Sequence, residues 1–142
     1  MERIELKEEI KDKRISKELL FKIISDIPKY PEFVPGYKKV KVLEKRDDYI
    51  KVKIYPTLPI SPFIMEANLI YPEKVKFRLI EGPMDVFEGE WEISDNEIKF
   101  FVNYYVKNWL KRKLIYKFIK LSCNDILYSF KLRAKKILKE EK

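Results

Sequence analysis

The chain has 142 residues, 46% hydrophobic and 38% charged, with a net charge of +8. That length suits one domain, residues 1–142, with a core of useful size, and no stretch approaches the ~18 uncharged apolar residues of a membrane-spanning helix. Histidine is absent and Cys123 is the single cysteine, which excludes an internal disulfide, the usual nitrogen–sulfur zinc sites and histidine acid–base catalysis, so no metal site is expected.

The opening Met1-Glu2-Arg3-Ile4-Glu5 lacks the apolar core and cleavage site of a signal peptide, and a cytoplasmic location is expected. Abundant Lys, Glu and Ile without any Gln suggest a thermophile as the source. Ile4, Leu6, Glu8 and Ile10 recur at period two, the mark of a strand with one buried face. Ser16 then caps a short helix whose inner face carries Leu19, Leu20, Ile23 and Ile24. Pro28, Pro31 and Pro35 interrupt the next residues and leave room for a turn or two of helix around Tyr30 to Val34.

Six further strands follow, in alternating runs about Val40–Val42, Ile50–Ile54, Phe63–Tyr71, Val75–Leu79, Phe87–Ile93 and Ile98–Val106. Pro56, Pro59 and Pro62 mark a loop between the second and third of them. Tight turns between consecutive strands make the sheet antiparallel, and one apolar face per strand means one face is covered.

From Asn108 onward there is neither glycine nor proline, and the period changes to that of a helix. Ile115, Ile119, Cys123, Ile126, Phe130, Ala134 and Ile137 recur at steps of four and three. The spacing predicts one helix over 109–138, on the order of 45 Å long. A second apolar row, Leu110, Leu114, Phe118, Leu121, Tyr128 and Leu132, falls on a separate arc, with lysines between the rows. Residues 107–142 hold a net charge of +9, so the whole excess lies here. Lys113, Lys117 and Lys120 are candidates for contact with RNA or with an anionic membrane surface; a solvated face is the plainer alternative.

Three segments carry a family resemblance. Tyr30-Pro31-Glu32-Phe33-Val34-Pro35 resembles a Tyr-Pro-x-Phe-Leu-Pro segment that follows the first helix. Gly82-Pro83-Met84 with Gly89-Glu90-Trp91-Glu92-Ile93 resembles a Gly-Pro-Phe and Gly-x-Trp-x-Phe strand pair, and Ser129-Phe130-Lys131-Leu132-Arg133-Ala134 an Ala-Phe-x-x-Arg-Ala signature. Together they resemble the START-like (SRPBCC, helix-grip) superfamily, in its coenzyme Q-binding and RatA-type polyketide cyclase/dehydrase group. Met84, Gly36-Tyr37 and the proline-rich 56–62 loop depart from that pattern at the expected cavity mouth.

The resemblance implies an α+β helix-grip fold: a curved seven-stranded antiparallel sheet wrapped around a long C-terminal helix, with two short helices after the first strand. It also implies an apolar cavity between sheet and helix. The expected lining is Phe33, Val34 and Tyr37 from the proline-fixed elbow and Ile54, Met65, Leu69, Phe77, Phe87, Trp91, Phe100 and Tyr104 from the sheet. Leu114, Phe118 and Leu121 from the helix complete it. Each of these is equally a core residue by its pattern alone. No cofactor is required; the expected partner is a hydrophobic small molecule such as a polyprenyl quinone or lipid. A ribosome- or RNA-associated role through the basic helix is the alternative. A cyclase-like enzyme using Arg78, Asp85, Glu66 or Tyr104 is the third reading.

Overall fold

A computed structural model describes residues 1–140, and the last two residues of the basic tail counted above lie outside the described residues. The chain runs β1 (Glu2–Glu9), α1 (Lys17–Ser25), a 3-10 helix (Ile27–Glu32), β2 (Tyr37–Arg46), β3 (Tyr49–Pro56), β4 (Phe63–Ile70), β5 (Lys74–Glu81), β6 (Val86–Ile93), β7 (Glu97–Tyr105), α2 (Trp109–Cys123) and α3 (Ile126–Glu140). All seven strands join one antiparallel sheet in the order β1-β7-β6-β5-β4-β3-β2. Short connections make neighbours of consecutive strands, and β1 closes the far edge against β7, with Ile4 opposite Val102 and Leu6 opposite Phe100.

The alternation in the sequence becomes the two faces of this sheet. Ile50, Val52 and Ile54 on β3, Phe63, Met65 and Ala67 on β4, and Ile98, Phe100, Val102 and Tyr104 on β7 all point inward and are buried. Outward lysines pair across strands, Lys74 and Lys76 both reaching Glu90. Gly89 lies on β6 opposite Val102 of β7. A Cβ there would lie 2.1 Å from the Phe101 carbonyl oxygen and 2.6 Å from the Phe77 ring, so only glycine lets these strands close.

Helix α1 starts where the cap was expected, with Ser16 Oγ accepting the Leu19 N–H at 3.1 Å. Its buried residues are Leu20, Phe21, Ile23 and Ile24. The C-terminal brace differs from the single helix predicted over 109–138. It is interrupted at Asn124–Asp125, where two residues with poor helix propensity stand together, and α3 restarts with the Ser129 N–H on the Asp125 carbonyl. The phase survives the break. Ile115, Ile119, Cys123, Ile126, Phe130 and Ala134 are all buried, as their spacing predicts.

Three contacts fix the brace. Lys131 Nζ lies 3.1 Å from Glu8 on β1. Arg133 donates from Nη2 to Glu32 Oε1 at 2.8 Å and stacks over the Phe33 ring at 5.1 Å, clasping α3 to the proline elbow. Phe130, fully buried, packs edge-on against Tyr30, Phe33 and Trp91, with ring centroids 4.9–5.3 Å apart.

Phe130→Ala should therefore cost about 3–5 kcal/mol in urea unfolding, the usual loss for a fully buried aromatic side chain. A loss below about 1 kcal/mol would mean that this face of the brace is solvated. The Arg133 hydrogen bond lowers the Glu32 pKa below the usual carboxylate value. The stabilisation from this pair is thus present above the unfolded-state pKa and lost as pH falls through the folded-state value. The unaltered protein should exceed Glu32→Gln in unfolding free energy near pH 7, and the difference should shrink below about pH 4. An unchanged difference at about pH 3 would contradict the clasp.

Candidate functional site

An apolar cavity of about 50 Å³ lies between the concave face of the sheet, the elbow and the two C-terminal helices. The elbow contributes Ile27, Tyr30 and Tyr37 to its wall. The sheet contributes Val52 and Ile54 from β3, Met65 and Ala67 from β4, Val75 and Phe77 from β5, Phe87 and Trp91 from β6 and Phe100 from β7. Cys123 and Ile126 close it from either side of the helix break.

Nine aromatic rings form a closed loop around this space. From Phe130 it passes to Trp91, Phe100, Phe77, Phe87, Phe63, Phe118, Tyr37 and Tyr30 and back to Phe130, with successive centroids 4.5–6.5 Å apart. Such edge-to-face and tilted contacts are the favoured geometries of aromatic pairs. Gly36, at φ +92°, makes the turn that carries Tyr37 into the loop, and Phe118 packs against it.

The polar groups in the wall are few. Tyr30 donates its hydroxyl hydrogen to the Ile24 carbonyl, and burial raises its pKa well above the ordinary value. Burial raises Tyr37 as well. The Cys123 thiol is pushed up to about 12 by burial and stays protonated at neutral pH. Glu66 borders the cavity between Met65 and Ala67, but its carboxylate is held on the outer face by the Tyr49 hydroxyl and Arg78. The interior is therefore uncharged.

The predicted lining is partly assembled. Tyr37, Ile54, Met65, Phe77, Phe87, Trp91 and Phe100 border the cavity. Val34 is buried in the elbow, and Phe33 lies behind the wall against Tyr30 and Phe130. Leu69 packs against the core further along β4, and Tyr104 meets Tyr116 edge-on at 5.0 Å, both away from the cavity. Phe118 is buried in the aromatic loop, whereas Leu114 is only half buried and Leu121 is 44% exposed. The expectation that Leu114 and Leu121 face the cavity is corrected: the core takes the Ile115–Ile119 side of α2 and Phe118, and neither leucine borders the cavity.

Ile27, Val52, Ala67, Val75, Cys123 and Ile126 are wall residues that the lining expectation omitted, while Tyr30, expected at the entrance with the rest of the elbow, does border the cavity. For all but Ile27 and Tyr30 the inward phase was legible in the alternation and the helical row; what was not legible was that small side chains at Ala67, Val52, Val75 and Cys123 leave the space. Of the acid–base candidates, Asp85 is exposed and accepts the Lys107 N–H at 2.7 Å, while Glu66, Arg78 and Tyr104 lie as described above. Lys113, Lys117 and Lys120 come together on the outer side of α2, around a shallow groove shared with Trp109 and Leu121. Among the described residues no helix is long and apolar enough to cross a membrane, and no cluster of three metal-ligating side chains occurs.

The fold and sequence have known counterparts. The Zhui aromatase/cyclase of a Streptomyces species superposes with a TM-score of 0.81 over 96% of this chain and 95% of its own, at 13% identity. A STAR-related lipid transfer protein fragment of Xanthomonas axonopodis gives 0.65 over 94% of this chain and 85% of its own, at 9% identity. The ribosome association toxin RatA of Rickettsia prowazekii is 21% identical over 140 residues, covering 84% of this chain and 89% of that protein. The family model for polyketide cyclase / dehydrase and lipid transport matches residues 15–131, so the chain belongs to that START-like family.

Proposed function

We propose that this chain binds one apolar molecule, a long-chain lipid or a polyprenyl quinone, in the chamber between sheet and helices, and carries it. The observation behind this reading is the aromatic-walled apolar cavity, whose wall includes two tyrosines and a neutral thiol and holds no charged group aimed inward. Such a wall holds a ligand by area burial and dispersion, so selection is by chain width and length more than by headgroup.

The volume sets a condition on this reading. At about 50 Å³ the cavity takes a few water-sized groups, far below the ~300 Å³ at which small-molecule pockets begin. The walls must part on binding. Cys123 and Ile126 flank the two-residue break, so a change of angle at Asn124–Asp125 enlarges the chamber without melting either helix.

Ribosome association is the second reading, favoured by the name of the RatA relative and by the α2 lysines, which pair with no carboxylate among the described residues. Under it, the unaltered protein co-sediments with ribosomal particles at low salt and Lys113→Glu with Lys117→Glu and Lys120→Glu abolishes this.

The carrier reading is tested by filling the chamber. A fluorescent lipid or quinone analogue should bind the unaltered protein at micromolar concentration. Ala67→Leu should weaken that binding at least about tenfold, while overpacking costs the fold only about 1–3 kcal/mol. Val52→Ile, one methylene larger, should give a smaller loss in the same direction. Absence of binding by the unaltered protein, or equal binding by all three, would overturn the reading.

A further inference from the structure

Helix α2 presents a solvent face that the chamber does not use. Trp109 and Leu110 are 74% and 72% exposed, and Leu121, about three turns on, is 44% exposed. At roughly 100° per residue Leu110, half-buried Leu114 and Leu121 make one stripe along about 20 Å of helix. Lys111, Lys113, Lys117 and Lys120 are interleaved with and flank that stripe. The groove beside it is lined by Trp109, Tyr116 and Leu121 together with basic side chains, and by no carboxylate.

The charge on this face is unbalanced. No Asp or Glu occurs between Glu97 and Asp125, while α2 alone carries five basic residues. On the sheet and on α3 some lysines do find carboxylates, as Lys7, Lys74, Lys76, Lys99 and Lys131 do. Among the described residues Lys111, Lys113, Lys117 and Lys120 have no carboxylate within ion-pair distance. Arg112 is turned back instead, donating to the Val106 carbonyl at 2.9 Å.

We infer that the outer face of α2 docks on an anionic lipid bilayer, its lysines at the headgroups and Trp109, Leu110 and Leu121 at the edge of the acyl region. The partner must be anionic, because the face is wholly cationic, and a second copy of the same face would repel it. The leucines decide between phosphate-bearing partners. A nucleic-acid backbone has no use for exposed leucines among the lysines, whereas a helix of mixed Lys, Leu and Trp lying in the interfacial plane uses all three. A Trp ring has its favoured place at that interface. The inference stands whether or not the chamber takes a ligand, since none of these side chains borders it.

Vesicles of phosphatidylcholine with and without phosphatidylglycerol provide the test, read by co-sedimentation and tryptophan fluorescence. The unaltered protein should bind the phosphatidylglycerol vesicles, release as salt rises, and show a blue shift that Trp109→Phe removes. Leu110→Gln with Leu121→Gln keeps every charge and alters only exposed positions. It should weaken vesicle binding at least about tenfold with the thermal midpoint unchanged. Ala67→Leu should bind vesicles like the unaltered protein, which separates this face from the chamber. Equal binding to phosphatidylcholine alone would overturn the inference. So would full binding by the double leucine variant, or retention of ribosomal RNA with no retention of vesicles.

Discussion

Phe130 is in contact with all the parts that have to be brought together. Its ring lies on α3, and the same ring touches Trp91 of β6 and both Tyr30 and Phe33 of the elbow. Its ring therefore ties helix to sheet and helix to elbow at once, next to the Arg133–Glu32 clasp one turn further on. The other rings of the aromatic loop extend the same constraint around the chamber. Flat, stiff side chains meeting edge to face tile a concave surface less completely than branched aliphatics do, and the residual cavity lies where the tiles are interrupted by Ala67, Val52 and Cys123. Apolar character and small closed volume thus have one origin.

The two long faces of the molecule treat charge in opposite ways. On the outer face of the sheet, cations and carboxylates alternate across strands: Glu66 is held by Tyr49 and Arg78, Glu90 by Lys74 and Lys76, and Glu97 by Lys7 and Lys99. The Tyr49 hydroxyl and then Arg78 lower the Glu66 pKa, and Lys7 and Lys99 lower that of Glu97. Each such pair is weak alone. The positive charge surplus is left to the C-terminal helices, where α3 pairs with Glu8 and Glu32 and α2, among the described residues, pairs with no carboxylate.

Much of this was legible in the sequence because period two and period 3.6 are both strong signals here. The inward rows of β3, β6 and β7, the Ser16 cap and the buried row from Ile115 to Ala134 follow from spacing alone, whereas Val42 on the edge strand β2 and Tyr71 past the end of β4 are exposed. The three family-like segments placed the elbow and the Gly89–Trp91 strand correctly within the helix-grip fold. The break at Asn124–Asp125 was hidden because the apolar row runs through it without a phase error. Leu114 and Leu121 were misplaced for a related reason: a helical wheel shows which residues share an arc, and only the neighbouring elements show whether that arc is covered. Leu121 was therefore read as part of an inner surface when it lies on an outer one.

The chain's three methionines offer a direct reading of the chamber. Met65 borders the cavity, Met84 is buried away from it, and Met1 is exposed. Methyl-labelled protein titrated with a soluble quinone or lipid analogue can be followed by the three ε-methyl resonances. If the space between sheet and helices opens to take an apolar molecule, the Met65 resonance shifts and saturates at one equivalent while Met84 and Met1 stay in place. A titration that moves Met1 or Met84 and leaves Met65 unchanged would place the ligand on the surface or in another part of the core, and the chamber would be a packing void.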